Sequence, residues 1–253
     1  MTQEKIAEIK MKFEQADCDT LMQLIREYEQ DSRAGVVNLI KKYQRVLEKE
    51  EKEDARLYEM LSYERMYGKE GLICGVDEAG RGPLAGPVVA GAVILPNGCR
   101  IRYLNDSKQL SEKMRERLYD EIMEKAVAVG VGMASPARID KINILQATYE
   151  AMRQAITELG KEPDILLNDA VTIPDVKIRQ IPIIKGDAKS LSIAAASVVA
   201  KVTRDRLMIA YDKEMPEYGF AGHKGYGSQA HIQAIKTYGP SPIHRLSFIK
   251  NFM

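Results

Sequence analysis

Cysteine is scarce in this chain of 253 residues, and Cys18, Cys74 and Cys99 are odd in number, far apart and without any C-x-x-C pair. That pattern argues against a disulfide framework and against a zinc knuckle. Cys74, inside an apolar run, reads as a small buried hydrophobe. Long apolar stretches are missing as well: no segment reaches the roughly eighteen uninterrupted apolar residues of a membrane span. The opening Met1-Thr2-Gln3-Glu4-Lys5 carries no apolar core of a secretion signal. A cytoplasmic protein with no membrane partner is expected. Neither G-x-x-x-x-G-K-[ST] nor a G-x-G-x-x-G leading into a helix occurs, so no nucleoside triphosphate or dinucleotide site is read. The three histidines, His223, His231 and His244, lack the spacing of a metal cluster and are read singly as loop or surface residues.

Net charge is nearly absent too, at +1. Divided near Gly71, where composition changes, the chain has a balance of −3 over residues 1–70 and +4 over residues 71–253. A basic surplus in the second part suits a polyanionic partner. At 45% apolar content the chain can bury one sizeable core with a small appendage. The expected organisation is a helical extension over 1–70 and a main domain over 71–253.

From Lys5 to Tyr67 there is no proline and a single glycine, and apolar residues recur at helical spacing. Ile6, Ile9 and Phe13 mark a first helix, and Leu21, Leu24, Ile25 and Tyr28 a second. Val36 to Leu47 opens a long third helix, with Asp31 and Ser32 as candidate N-caps. The polar stretch Glu48 to Asp54 reads as a solvated helix face. After Gly71 the pattern alternates between strand-like runs and amphipathic helices, as in an α/β layer architecture. Strands are expected at Leu72–Val76, Val88–Leu95, Ala126–Met133, Asp164–Leu167 and Lys177–Ile184. Helices are expected at Ser111–Lys125, Ile142–Leu159, Ser190–Met215 and Ser228–Tyr238. The short Gly- and Pro-rich link between the first two strands leaves no room for a crossover helix and predicts an antiparallel pair. Later strands alternate with helices and are expected to be parallel.

Three of the apolar runs end in acids: Val76 runs into Asp77-Glu78, Asn168 into Asp169, and Ile183 through Gly186 into Asp187. One aspartate after a strand is ordinarily a turn or N-cap residue. Three such ends on one side of a sheet would bring carboxylates together where α/β proteins place ligand sites. Packed carboxylates repel, and hard Mg²⁺ or Mn²⁺ is the natural neutralising partner. Two ions at one site could activate water and stabilise a leaving oxygen. Gly80-Arg81-Gly82-Pro83 follows at once, a loop whose backbone can approach a sugar-phosphate chain. Lys108, Lys185 and Lys189 stand beside the acids as candidate phosphate contacts, with ion pairing as the alternative. Lys201 and Arg204 could serve packing equally well. The Ala194-Ala195-Ala196-Ser197 run is read as the place where a helix approaches the sheet closely.

The stretch GVDEAGRGPLAGPVVAGAV, from Gly75 to Val93, resembles the first motif of ribonuclease HII. DSKQLS (106–111), KGDAKSLSIAAASVVAKVTRD (185–205), YGF (218–220) and HKGYGS (223–228) resemble the rest, in order. The resemblance spans roughly residues 71 to 247. It implies a ribonuclease H-like fold, with a mixed central sheet flanked by helices and a C-terminal helical part that holds an RNA-DNA hybrid. It also implies a pair of Mn²⁺ or Mg²⁺ ions on Asp77, Glu78, Asp169 and Asp187. Gly80, Arg81 and Gly82 would be the loop that recognises the ribose 2′-OH, and Tyr226 would pack on the sugar of the following deoxynucleotide, favouring cleavage 5′ to a ribonucleotide in duplex DNA. Gln109, Ser228 and Asn168 depart from the motifs, which often carry Lys, Thr and an apolar residue there. Residues 1–70 resemble the helical extension of some bacterial ribonuclease HII proteins rather than the sheet that ribonuclease HIII carries at its N-terminus. A monomer is expected.

Overall fold

Strong helix formers without proline fill the first sixty positions, and they fold as α1 (Ile6–Gln15), α2 (Cys18–Glu27) and α3 (Ala34–Met60). Asp17 caps α2 by accepting the Thr20 N–H at 2.9 Å. Helix α3 begins at Ala34, so neither Asp31 nor Ser32 is its N-cap. Asp31 instead accepts the N–H of Arg33 at 3.0 Å and pairs with its guanidinium at 2.6 Å. Ile9, Phe13, Leu21, Leu24, Tyr28, Val36, Ile40 and Tyr43 close a core of their own. The expected solvated stretch 48–54 continues α3, with Glu53 turned inward and paired with Arg56.

The computed structural model describes residues 4–251, and the chain divides into two units, Met1–Tyr58 and Glu59–Met253. Helix α4 (Ser62–Tyr67) belongs with the second unit, because Tyr63 and Tyr67 pack on Ile73, Ile165, Leu167, Ile183 and Ile193.

The second unit is built on a mixed five-stranded sheet of β1 (Ile73–Ala79), β2 (Val88–Ile94), β3 (Ala128–Ala134), β4 (Ile165–Asp169) and β5 (Arg179–Ile183), in the order β3-β2-β1-β4-β5. Strands β1 and β2 are antiparallel, while β1, β4 and β5 run parallel. Strand β3 departs from the parallel expectation and pairs antiparallel with β2. The chain leaves β2 at Ile94, runs through α5 (Glu112–Lys125) and returns beside the same end, with Val127 N–H donating to Ile94 O at 2.8 Å. The α5 connection is therefore a wide hairpin and not a crossover.

Helix α8 (Leu191–Glu214) covers one face of the sheet and α7 (Ile144–Thr157) the other. Contact is close because glycines face both helices. A Cβ on Gly75 would stand 2.1 Å from Ser192 C, and one on Gly91 2.5 Å from Ala196 O. The small residues of α8 thus permit the approach expected of them. The helix expected at 142–159 is α7; a short helix not expected from the sequence, α6 (Pro136–Ile142), precedes it, and Asn143, at φ 69°, separates the two and caps the first N–H groups of α7 with its side chain. After α8 come α9 (Phe220–His223), α10 (Gln229–Tyr238) and α11 (Leu246–Ile249). Ala85, Met208, Tyr218, Phe220 and Ala234 form their core. Among the described residues no helix is long and apolar enough to cross a membrane.

Candidate active site

The parallel register places the acids. Val76 of β1 is level with Asn168 of β4, so Asp77 and Asp169, one residue on, emerge from neighbouring strands at the same height and on the same face. That face is the one covered by α8, since Gly75 lies two residues before Asp77 and abuts Ser192. Asp187 arrives from the next strand: β5 ends at Ile183, level with Asp169, and the chain turns at Lys185 in a left-handed conformation (φ 56°, ψ 48°) into a single helical turn, Gly186–Ala188. The Gly186 N–H donates to Asp169 Oδ1 at 2.7 Å, which ties the two strand ends together. Any side chain on Gly186 would run into Ile193, its Cβ 2.5 Å from Ile193 Cδ1.

Each of these carboxylates feels another. Burial, then the charges of Glu78 and Asp169, push the Asp77 carboxyl well above the ordinary carboxylate range, and Ser197 opposes the shift by hydrogen bonding to it. Burial also raises Glu78, against the pull of Arg81, whose guanidinium lies 3.3 Å away. Asp187 is raised by burial and by the charges of Asp106 and Asp169. Burial works against the charge on Lys108, yet Asp106, Asp77, Asp187 and Asp169 together hold its ammonium above its usual value. The structure therefore brings Asp77, Glu78, Asp169 and Asp187 to one place, with Lys108 at its edge.

Asp106 is an additional acid there, to which its place in the DSKQLS motif assigns no role. It accepts the Lys108 N–H at 2.9 Å, and after burial its charge is the next influence holding the Asp187 carboxyl up. Ser107 and Ser197 belong to the same floor, their hydroxyls 2.9 Å apart. Lys185 and Lys189 are exposed on either side of the Asp187 turn. Lys201 is occupied by Asp205 at 2.7 Å.

Whether this donor set suits a metal can be judged from its chemistry. Among the described residues no group of three or more His, Cys, Asp or Glu side chains is placed to hold a metal ion as it stands. The set offers only hard carboxylate oxygens, and for Asp77, Glu78 and Asp187 burial, with neighbouring negative charge added to it, raises the carboxyl above its ordinary range. A hard divalent cation with spare positions for water and phosphate matches such a set, whereas zinc would call for nitrogen or sulfur.

The glycine-rich loop Gly80-Arg81-Gly82 leaves β1 directly after Ala79, with Gly80 buried and Arg81 exposed. Tyr226, 46% exposed, stands over it, and a Cβ on Gly82 would lie 4.0 Å from Tyr226 Cε1. Asn168 does not break the core where an apolar residue was expected, because its amide donates to Gln180 Oε1 at 2.8 Å and Gln180 in turn binds the backbone of Ile173.

The histidines correct the reading of them as loop or surface residues: His231 and His244 are buried. His244 Nδ1 accepts the Ser241 N–H at 2.9 Å, which leaves its Nε2 protonated and donating to His231 Nε2 at 2.9 Å. His231 Nδ1 then donates to the Tyr226 carbonyl at 2.9 Å. His223 stacks on His231 with ring centroids 4.3 Å apart. Their nitrogens are spent on one another and on the backbone, so they are not available as ligands, and spacing in the sequence gives no sign of this chain.

Comparison with known proteins gives the family. Residues 74–251 match the family described as Ribonuclease HII, and residues 5–68 the Ribonuclease HII N-terminal domain. The chain is 62% identical to ribonuclease HII of Lachnoclostridium phytofermentans, covering 98% of this chain and 97% of that protein. It is 50% identical to ribonuclease HII of Acetivibrio thermocellus over 98% of each. Among solved structures, ribonuclease H2 of Pyrococcus horikoshii superposes with a TM-score of 0.59 at 28% identity, covering 72% of this chain and 96% of that one.

Proposed function

The chain belongs to the ribonuclease HII family and is a type 2 ribonuclease H, and from that membership we propose a finer activity for it. It cuts the RNA strand of RNA-DNA hybrids and nicks on the 5′ side of single ribonucleotides embedded in duplex DNA, leaving 3′-OH and 5′-phosphate ends. The observation that carries this reading is the meeting of Asp77, Glu78, Asp169 and Asp187 at the ends of three adjacent parallel strand segments, beside a backbone loop and an exposed tyrosine. When bound, two Mg²⁺ or Mn²⁺ ions would supply Lewis acidity and positive charge at the scissile phosphate. Asp77, the most deeply placed acid, would hold both ions; Glu78, Asp169 and Asp187 would complete the set. Gly80, Arg81 and Gly82 would approach the ribose through their backbone, where a 2′-OH distinguishes RNA from DNA. Tyr226 would pack on the next sugar, and Lys108, Lys185 and Lys189 would contact phosphates. The N-terminal helices would assist substrate positioning, the boundary in sequence lying near residue 70 while α4, just before it, packs with the catalytic unit. The protein would act as a monomer in the cytoplasm.

A duplex carrying one ribonucleotide, incubated with the protein and Mg²⁺ or Mn²⁺, tests this directly. A nick 5′ to the ribonucleotide is expected from the native chain and not from Asp169→Asn. An uncut duplex would overturn the proposed activity.

A further inference from the structure

Two arginines lie fully buried beneath the glycine-rich loop: Arg204, on α8, and Arg245, in the C-terminal segment. A buried guanidinium is tolerated only if its donors find partners. Here they find main-chain carbonyls. Arg245 donates from Nε to Gly86 O at 2.9 Å, from Nη1 to Arg81 O at 2.8 Å and from Nη2 to Gly80 O at 2.5 Å. Arg204 donates from Nε to Pro87 O and from Nη2 to Ala85 O, both at 3.0 Å, and from Nη1 to Lys224 O at 2.9 Å. Two side chains thus hold five carbonyls of the segment 80–87 and one from the segment that carries Tyr226.

The loop's own sequence fits this grip. Gly80 has φ +91°, and a Cβ there would stand 2.1 Å from Arg204 Nε. Gly86 has φ +86°, with Arg204 Nη2 only 3.2 Å from where its Cβ would be. Because a trans peptide sets its N–H opposite its C=O, drawing the Gly80 and Arg81 carbonyls inward turns the N–H groups of Arg81 and Gly82 outward. Among the described residues neither N–H meets an acceptor.

Arg204 also reaches the second substrate-reading element, its Cζ 5.9 Å from the centre of the Tyr226 ring. The Leu84 N–H donates to Gly225 O at 2.8 Å, and His231 holds the Tyr226 carbonyl. Loop and tyrosine are therefore fixed to one buried frame.

We propose that Arg245 and Arg204 are positioning residues for ribose selection: they aim the outward N–H groups of Arg81 and Gly82 and set the spacing between that loop and the Tyr226 ring. This rests on the loop being the reader of the 2′-OH, as proposed above. The pair touches no reacting atom.

The test uses the full chain with Mn²⁺ and the variants Arg245→Lys and Arg204→Lys, which keep the charge and lose the planar fork. Two duplexes differ at one nucleotide, 2′-OH in one and 2′-fluoro in the other. The variants are expected to lose the 2′-OH preference in kcat/KM by on the order of tenfold, while affinity for the all-deoxy duplex stays within about twofold. A folded variant with its 2′-OH preference intact would overturn the arginine pair. A native chain without that preference would overturn the function of the loop itself, whatever the variants do. Amide hydrogen exchange on the native chain supplies a second check that needs no variant. The Arg81 and Gly82 amides should be slowed by the ribonucleotide duplex and not by the all-deoxy one; equal slowing by both would contradict the proposal.

Discussion

At the scale of single residues, Asp77 carries the conflict between stability and chemistry. Its carboxyl is raised by burial and by neighbouring negative charge, so the folded chain binds its proton more tightly than the unfolded chain does. Stability without metal consequently falls as pH rises from the ordinary carboxylate range through the raised value. Asp77→Asn removes this penalty, and the metal-free variant should melt at a higher temperature than the native protein at neutral pH. The same change should lower cleavage by at least about 100-fold, the scale of losing one major electrostatic contributor at a reacting centre. Thermal melting in chelator and a cleavage assay check the two halves separately. The acids were legible in the sequence because each closes an apolar run, a signal that survives without coordinates. Asp106 was not, since it precedes a single helical turn in a loop. Arg245 was silent for another reason: its partners are carbonyls more than 150 residues away, and a backbone acceptor leaves no trace in the sequence.

Among the elements, periodicity and caps located most helices to within a residue or two: Ser111, Ser190 and Ser228 all cap the helices expected to start there. The direction of β3 was misjudged because alternation of strand and helix does not reveal on which side of the sheet a connection returns. The histidine chain under α10 was misjudged because each histidine was weighed alone. Its consequence is measurable. Burial, with His231 adding to it, lowers His244 from an ordinary 6.5 to about 4, and burial also lowers His231. Between those two values the unfolded chain takes up the proton and the folded chain does not, so stability is full above about 6.5 and is lost as pH falls towards 4. His244→Gln should flatten this part of the stability curve relative to the native chain, the common carboxylate contribution cancelling between the two. Denaturant melts at a series of pH values would show the difference, and parallel curves would contradict it.

For the whole molecule, the composition change at Gly71 is a poorer guide to autonomy than packing. Helix α4 lies before it in sequence, yet Glu64 accepts the Ser190 hydroxyl and, at 2.9 Å, the Ser192 N–H at the start of α8, a few residues from Asp187. Removing residues 1–58 should leave a chain that folds and cuts, because its own core is intact and the helices removed close a separate one. Removing residues 1–68 should lower both the melting temperature and the cleavage rate, because the Glu64 cap goes with them; loss of an N-terminal cap costs roughly 1 kcal/mol. Comparable behaviour of the two truncations would remove α4 from the working unit.

For the proposed cleavage, the carboxylates from three strand ends must act together on divalent ions. Anomalous scattering from crystals of the native chain grown with Mn²⁺ measures this without reference to activity. Peaks are expected within coordination distance of Asp77, Glu78, Asp169 and Asp187, and none there for Asp77→Asn at the same concentration. Manganese bound elsewhere, with those four side chains untouched, would contradict the account.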